Sequence, residues 1–262
     1  METQNEGTTY TNNMSFSLTF NIVPTMMWVV LEIHKNQALR CKIRTELKDN
    51  GLLRDLQPDD IKRLLNLPRL QGVYAECLRL YDQVLIPRET TDEIEVRGWK
   101  FPKSSTIIIS THEAQTEKGA WNTGPNDAHP IDKFWAERFL VFPGDATSGP
   151  IVRSSVIQTG RENEAEDDAQ NCNISGPVFS ERTTAGFWIP FGGGARICPG
   201  RHFAKRAIIT AAAMMTTMAD IEILVGEEQM RTDERGYGLG VQRPAEKIPY
   251  RIRSWHGNRA LR

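Results

Sequence analysis

The sequence predicts a mainly α-helical fold with small β-sheets. Helix-compatible residues run from Met14 to Glu46 around Pro24, and a break at His34 to Asn36 divides them into two helices. Apolar side chains recur at helical spacing from Pro68 to Leu80, and Pro68 suits a first helical turn because its missing N–H costs least there. The Ala-rich run from Phe203 to Met218 predicts a third strong helix that packs closely against its neighbours.

The remaining segments predict strands and one long loop. Between Val84 and Ser110, β-rich runs at Ile94 to Val96 and Thr106 to Ile109 predict a small antiparallel sheet, and the tail from Gly236 to Ile252 predicts a hairpin. The stretch from Asp145 to Thr184 is rich in Ser, Asn, Gly and acidic residues, which predicts a solvated, flexible loop. We therefore expect residues 1–262 to form one domain with a flexible loop at 145–184.

Composition and charge exclude several classes of function. The 262 residues include 32 basic and 33 acidic side chains, and 39% of the residues are hydrophobic, so the chain is expected to bury a core and to attract no nucleic acid. The four cysteines lie far apart without zinc-type spacing, which favours a reducing compartment over a secreted disulfide framework. Neither a signal peptide nor a membrane anchor is recognisable, so the chain as written is expected to be cytoplasmic.

Cys198 lies in a turn rich in Gly and Pro, directly before the predicted helix Phe203 to Met218. A helix N-terminus offers backbone N–H groups and a positive dipole end, and both favour a thiolate over a thiol. For an arbitrary cysteine, a buried structural role is the more common alternative. The composition of the turn favours an activated thiolate.

The segment Phe191 to Gly200 also matches a complete pattern, F-x-x-G-x-R-x-C-x-G, which is formed by Phe191, Gly194, Arg196, Cys198 and Gly200. This segment resembles the haem-binding loop of the cytochrome P450 superfamily. The resemblance implies haem b as cofactor, with Cys198 as the axial thiolate that directs electron density toward the iron. It also implies that Arg196 pairs with a haem propionate and that Phe191 packs beside the sulfur, although a surface charge is the simpler role for Arg196.

A second match is the Glu76-x-x-Arg79 pair, whose spacing places both charges on one face of the predicted helix. An exposed ion pair is the default for such a motif. Residues 136–139, Ala-Glu-Arg-Phe, resemble the loop that supplies a third charged partner in the same family, here Arg138. The resemblance implies a buried cluster of Glu76, Arg79 and Arg138, and it assigns Arg88 to a second propionate.

The segment around Asn21 departs from the usual family pattern. The resemblance places the distal helix here, where many members carry an acid followed by threonine, whereas this chain has Asn21 in the place of the threonine and Pro24 soon after it. Asn donates a hydrogen bond but is no acid, and this pattern resembles the branch with sterol hydroxylases, prostacyclin synthase and many fungal members. A helical Asn that caps a kink at Pro24 is an equal alternative. The tail would contribute Leu239 and Val241 as substrate contacts.

The resemblance covers nearly the whole chain and implies the C-terminal half of the cytochrome P450 fold, with the N-terminal half absent. It implies a monooxygenase that inserts one oxygen atom from dioxygen into a lipophilic sterol, terpenoid or other secondary metabolite, with electrons from NADPH-cytochrome P450 reductase. A haem-dependent isomerase or dehydratase of the same fold and an inactive truncated product are the alternatives. An intact member of the family would reside at the endoplasmic reticulum membrane.

Overall fold

The computed structural model describes residues 18–53, 56–151 and 176–255. A π-helical turn spans Leu18–Ile22. The α-helices are α1 (Val23–Lys35), α2 (Gln37–Asp49), α3 (Asp60–Leu64), α4 (Pro68–Tyr81), α5 (Thr111–Gln115) and α6 (Arg201–Met218). Within these ranges no helix has both the length and the apolar character that crossing a bilayer requires.

The three predicted helical regions are confirmed. Asn36 ends α1 and begins α2, where its side chain accepts a hydrogen bond from the backbone N–H of Leu39 at 3.0 Å. Pro24 does not interrupt the helix, because it lies in the first turn of α1, where no helical N–H is needed. The predicted first residues, 14–17, lie outside the described part of the chain.

The main core forms where α1, α4 and α6 pack together. Trp28 of α1, Leu70 and Val73 of α4, and Ala212 and Ala213 of α6 are at most 1% exposed. The small Ala side chains of α6 let neighbouring helices approach closely, as the Ala-rich pattern predicts. The core therefore fixes α4 and α6, the two helices that flank the Cys198 loop.

In the described part of the chain, four small antiparallel sheets surround these helices. The strand β1 (Asp82–Glu89) pairs with β4 (Thr106–Ser110) and with β8 (Leu239–Val241). The other pairs are β2 (Ile94–Val96) with β3 (Trp99–Phe101), β5 (Leu140–Val141) with β6 (Val178–Phe179), and β7 (Ala219–Ile223) with β9 (Tyr250–Ser254).

The antiparallel sheet predicted between Val84 and Ser110 is confirmed, because β1 pairs with β4 and β2 pairs with β3. The hairpin predicted within residues 236–252 is wrong, because β8 pairs with β1 whereas β9 pairs with β7. Local sequence identifies strands, but burial against distant neighbours selects their partners. Here β8 lies against α1, and β9 covers the strand that continues from α6.

The predicted loop at 145–184 is ordered at both of its ends. Ile151 is 8% exposed and forms a β-bridge with Trp121, and β6 pairs with β5. Both ends contribute apolar side chains to a second core around Phe139, which explains why they are not solvated. The central part of the predicted loop, residues 152–175, lies outside the described residues.

Candidate active site

Cys198 lies in an exposed loop directly before α6, with its thiol free. The backbone N–H of Cys198 donates to the carbonyl oxygen of Phe191 at 2.9 Å and closes the loop. Gly194 has φ = 67°, a left-handed conformation that strains other residues, so the conformation of the turn explains why the motif has glycine here. Helix α6 begins at Arg201, three residues beyond Cys198, so its N-terminal end follows the loop directly.

The second glycine of the motif has a different physical role. Gly200 has φ = −80° and ψ = −3°, an ordinary right-handed conformation that does not require glycine. A Cβ atom added there would lie 3.9 Å from the Cys198 sulfur. Glycine at this position therefore keeps space open beside the sulfur.

A tryptophan that the sequence analysis missed anchors this loop to α4. The indole N–H of Trp188 donates to the carbonyl oxygen of Ala75 at 3.2 Å. The Trp188 ring packs edge-on against Phe191 with ring centroids 6.0 Å apart, and against Phe139 at 5.7 Å. Phe191 is thus held on the core side of the loop, and the position of Trp188 three residues before the motif is the signal that could have found it.

The two predicted propionate partners differ in their surroundings. Arg88 is half-buried on β1, and its guanidinium lies near the loop, with Nη2 3.5 Å from the carbonyl oxygen of Gly193. Arg196 lies in the short 3-10 turn Gly194–Arg196 and its side chain is exposed. The structure therefore brings Arg88 to the Cys198 loop and leaves Arg196 open to solvent on the loop itself.

The structure brings Glu76, Arg79 and Arg138 together, and each side chain is 0% exposed. Arg79 donates from Nε and Nη2 to the two Glu76 oxygens at 2.8 and 2.9 Å, and Arg138 donates from Nε to Oε1 at 3.1 Å. The backbone N–H of Trp135 donates to the same oxygen at 3.1 Å. One carboxylate is therefore shared by two buried guanidinium groups.

Hydrogen bonds to backbone carbonyl oxygens stabilise the excess positive charge of this cluster. The remaining guanidinium N–H groups donate to the carbonyl oxygens of Gln115, Ile131, Asn122, His129, Pro130 and Lys133. Burial lowers the pKa of Arg138, and the Glu76 carboxylate opposes that shift. The cluster thus fixes the irregular segment 122–133 against α4, which is also the helix that anchors the Cys198 loop.

Gln115 is a second residue that the sequence did not reveal. Its side chain is 0% exposed, and its amide lies 3.3 Å from each of the carbonyl oxygens of Leu78, Arg79 and Asp82, at the end of α4. Its backbone carbonyl accepts from Arg79 at 3.0 Å. Gln115 therefore joins the charged cluster to the α4 C-terminus, and nothing in its local sequence indicates this position.

Asn21 lies in the π-turn before α1 and is half-buried. The Thr25 hydroxyl donates to the backbone carbonyl of Asn21 at 2.6 Å. Strand β8 packs against this turn; Leu239 is 56% exposed, whereas Val241 is 6% exposed and belongs to the main core. Of the two residues expected to contact substrate, only Leu239 therefore presents surface.

A cavity of about 1510 Å³ lies at the C-terminal end of α4, where Leu80 and Tyr81 line it. Charged side chains of both signs line it, among them Glu32, Lys35, Lys133 and Glu227. Residues of the Cys198 loop and of the π-turn do not line it. This cavity is therefore distinct from the candidate site.

The Cys198 loop suits a cofactor that brings most of its own metal ligands. Among the described residues there is no group of three or more His, Cys, Asp or Glu side chains that could hold a bare metal ion. A haem needs only one soft axial ligand from this face, and an exposed thiol with open space beside it can provide that ligand. The residues present therefore fit a haem.

Comparison with known proteins identifies the family. The family model described as "Cytochrome P450" matches residues 19–144, which include the charged cluster and Asn21 but end before Cys198. A cytochrome P450 monooxygenase of Hormonema carpetanum is 37% identical over 251 residues, 92% of this chain and 42% of the relative. A second, from Humicola fuscoatra, is 34% identical over 262 residues, 95% of this chain and 43% of the relative.

The fold agrees with these sequence matches. A crystal structure of a cytochrome P450 aligns with a TM-score of 0.61 at 19% identity, over 90% of this chain and 42% of that chain. The chain therefore spans somewhat over two fifths of the length of each of these three proteins. On this evidence the chain belongs to the cytochrome P450 superfamily.

Proposed function

We propose that this chain carries the haem-thiolate part of a monooxygenase that inserts one oxygen atom from dioxygen into a lipophilic substrate. The observation that carries the proposal is Cys198, an exposed thiol at the start of α6 on a loop anchored to α4 through Trp188. The similar fungal proteins are named as cytochrome P450 monooxygenases, which favours the same reaction type for this chain.

Each residue near the loop has a physical task in this proposal. Cys198 would ligate the haem iron, Arg88 and Arg196 would pair with its propionates, and Phe191 would shield the sulfur from water. When bound, the haem supplies the redox chemistry that activates dioxygen. The cluster of Glu76, Arg79 and Arg138 has a structural task, because its side chains are buried and already paired.

Asn21 would face the haem from the π-turn, where its amide could donate a hydrogen bond but could not deliver a proton as an acid. Leu239 offers an exposed apolar contact near the turn, which suits a lipophilic sterol, terpenoid or other secondary metabolite. Asn21 in place of the usual threonine favours, as second candidate, an isomerase or dehydratase that needs no external electrons. The proposal includes NADPH-cytochrome P450 reductase as the electron donor, and the endoplasmic reticulum membrane as the location of the intact protein.

Labelled dioxygen separates the two reactions. The haem-loaded protein is incubated with a lipophilic substrate, reductase and ¹⁸O₂, with and without NADPH. A monooxygenase incorporates one labelled atom into each product molecule and requires NADPH. Product that forms without NADPH and without label would favour the isomerase or dehydratase and would contradict the proposal.

A further inference from the structure

Gly240 of β8 lies unusually close to the π-turn that carries Asn21. A Cβ atom added to Gly240 would lie 2.6 Å from the side-chain oxygen Oδ1 of Asn21 and 2.7 Å from the backbone oxygen of Phe20. Carbon and oxygen atoms that are not bonded do not approach this closely in packed proteins. Any side chain at residue 240 therefore forces the turn and the strand apart.

Rotation of a side chain does not relieve this contact. The Asn21 amide can turn away, but Phe20 contributes a backbone oxygen, so the turn itself must move. The Thr25 hydroxyl bond to the carbonyl of Asn21 ties the turn to the first residues of α1.

The strand is equally constrained on its other side. Asp82 to Val84 pair with β8, and the Gln242 amide donates to the carbonyl of Gly240 at 3.2 Å. The indole N–H of Trp28 donates to the carbonyl of Gln242 at 2.6 Å and holds the strand against α1 one turn farther along the helix. Because β8 cannot retreat, the displacement falls on the turn.

We propose that Gly240 is a positioning residue of the distal site: its missing side chain sets where the Asn21 amide lies, and it thereby sets substrate binding and turnover. This inference rests on the proposed function, because it takes the π-turn to face the haem. Displacements of about 1 Å in positioning elements can cost on the order of a hundredfold in rate. A shift of roughly half that size at Asn21 is expected to lower kcat/KM by about tenfold.

Azole binding tests the displacement without turnover. Gly240→Ala is prepared in the haem-loaded chain and in a hybrid in which the unmatched part of the Hormonema carpetanum relative completes the chain. The dissociation constants of imidazole and of the larger 4-phenylimidazole are measured from the haem spectrum. The expected result is at least a fivefold weaker affinity for 4-phenylimidazole with imidazole nearly unchanged, because only the larger ligand extends to the turn.

Gly176→Ala is the matched control, because a Cβ atom there meets nothing within 4 Å, and both affinities should remain as in the wild type. Asn21→Ala tests the residue through which Gly240 acts. It should lower turnover by itself, and in that background Gly240→Ala should lower turnover by less than about twofold, since coupled positions are not additive. Unchanged turnover in Asn21→Ala would overturn the proposal, even if Gly240→Ala failed to hold haem.

The outcomes also separate this inference from the proposed reaction. Wild-type protein that shows no NADPH-dependent turnover, but whose 4-phenylimidazole affinity depends on Gly240, would contradict the reaction and support the positioning role. Normal turnover together with equal 4-phenylimidazole affinity in the wild type and Gly240→Ala would overturn the positioning role alone.

Discussion

Removing the charge of Glu76 is expected to destabilise the fold severely. Its carboxylate accepts four hydrogen bonds, from two N–H groups of Arg79, one of Arg138 and the backbone of Trp135, at 2.8 to 3.1 Å. In Glu76→Gln two fully buried guanidinium groups lose their only anionic partner in the cluster. Breaking a buried ion pair in this way costs about 3–5 kcal/mol.

Urea unfolding monitored by circular dichroism, together with haem retention, measures this effect. The matched control is Glu222→Gln, because Glu222 pairs with Arg251 at 2.8 Å but both side chains are 53% exposed. Such exposed pairs contribute at most about 1 kcal/mol. Glu76→Gln protein that unfolds at the wild-type urea concentration and keeps its haem would refute the assignment of this cluster as a structural brace.

Two further predictions concern pH. Burial raises the pKa of Asp82 from 3.8 to about 7. The protonated carboxyl group therefore stabilises the fold fully below pH 3.8, and this contribution is lost as the pH rises through 7. Asp82→Asn should raise the urea midpoint at pH 8 and change it little at pH 4. Burial lowers the pKa of His34 from 6.5 to about 4; the charges of Arg40 and Arg44 add to this shift, and the charge of Asp220 opposes it. The protein therefore loses stability as the pH falls from 6.5 to 4. The backbone N–H of Ile221 donates to Nδ1 of His34 at 3.2 Å, and His34→Asn retains an acceptor for it. In this variant the urea midpoint should depend less on pH between 4 and 6.5. An unchanged pH dependence would contradict the assignment.

The helices could be predicted because their signals are local. Apolar spacing and Pro68 in a first turn predict α4, and the break predicted at His34 to Asn36 separates α1 from α2, all without any distant contact. The partners of β8 and β9 could not be predicted, because they depend on packing against elements far away in the chain.

In the candidate site, too, the features with a local sequence pattern could be predicted and those that depend on distant contacts could not. The spacing of Glu76 and Arg79 predicts a pair on one helix face, whereas the carbonyls that receive the other guanidinium N–H groups belong to an irregular segment that has no pattern of its own. Gln115 and the close approach of Gly240 to Asn21 depend on tertiary geometry alone. Sequence therefore identifies which residues carry charge or sulfur, and the structure identifies what holds them.

The carbon monoxide spectrum of the reduced, haem-loaded chain tests the central claim most directly. Wild-type protein is expected to give the red-shifted Soret band of a thiolate-ligated haem, and Cys198→Ala is expected to lose it. Cys41→Ala is the control, because Cys41 is also an exposed, free cysteine but lies on α2, and it should retain the band. A red-shifted band that persists in Cys198→Ala would contradict the assignment of Cys198 as the haem ligand.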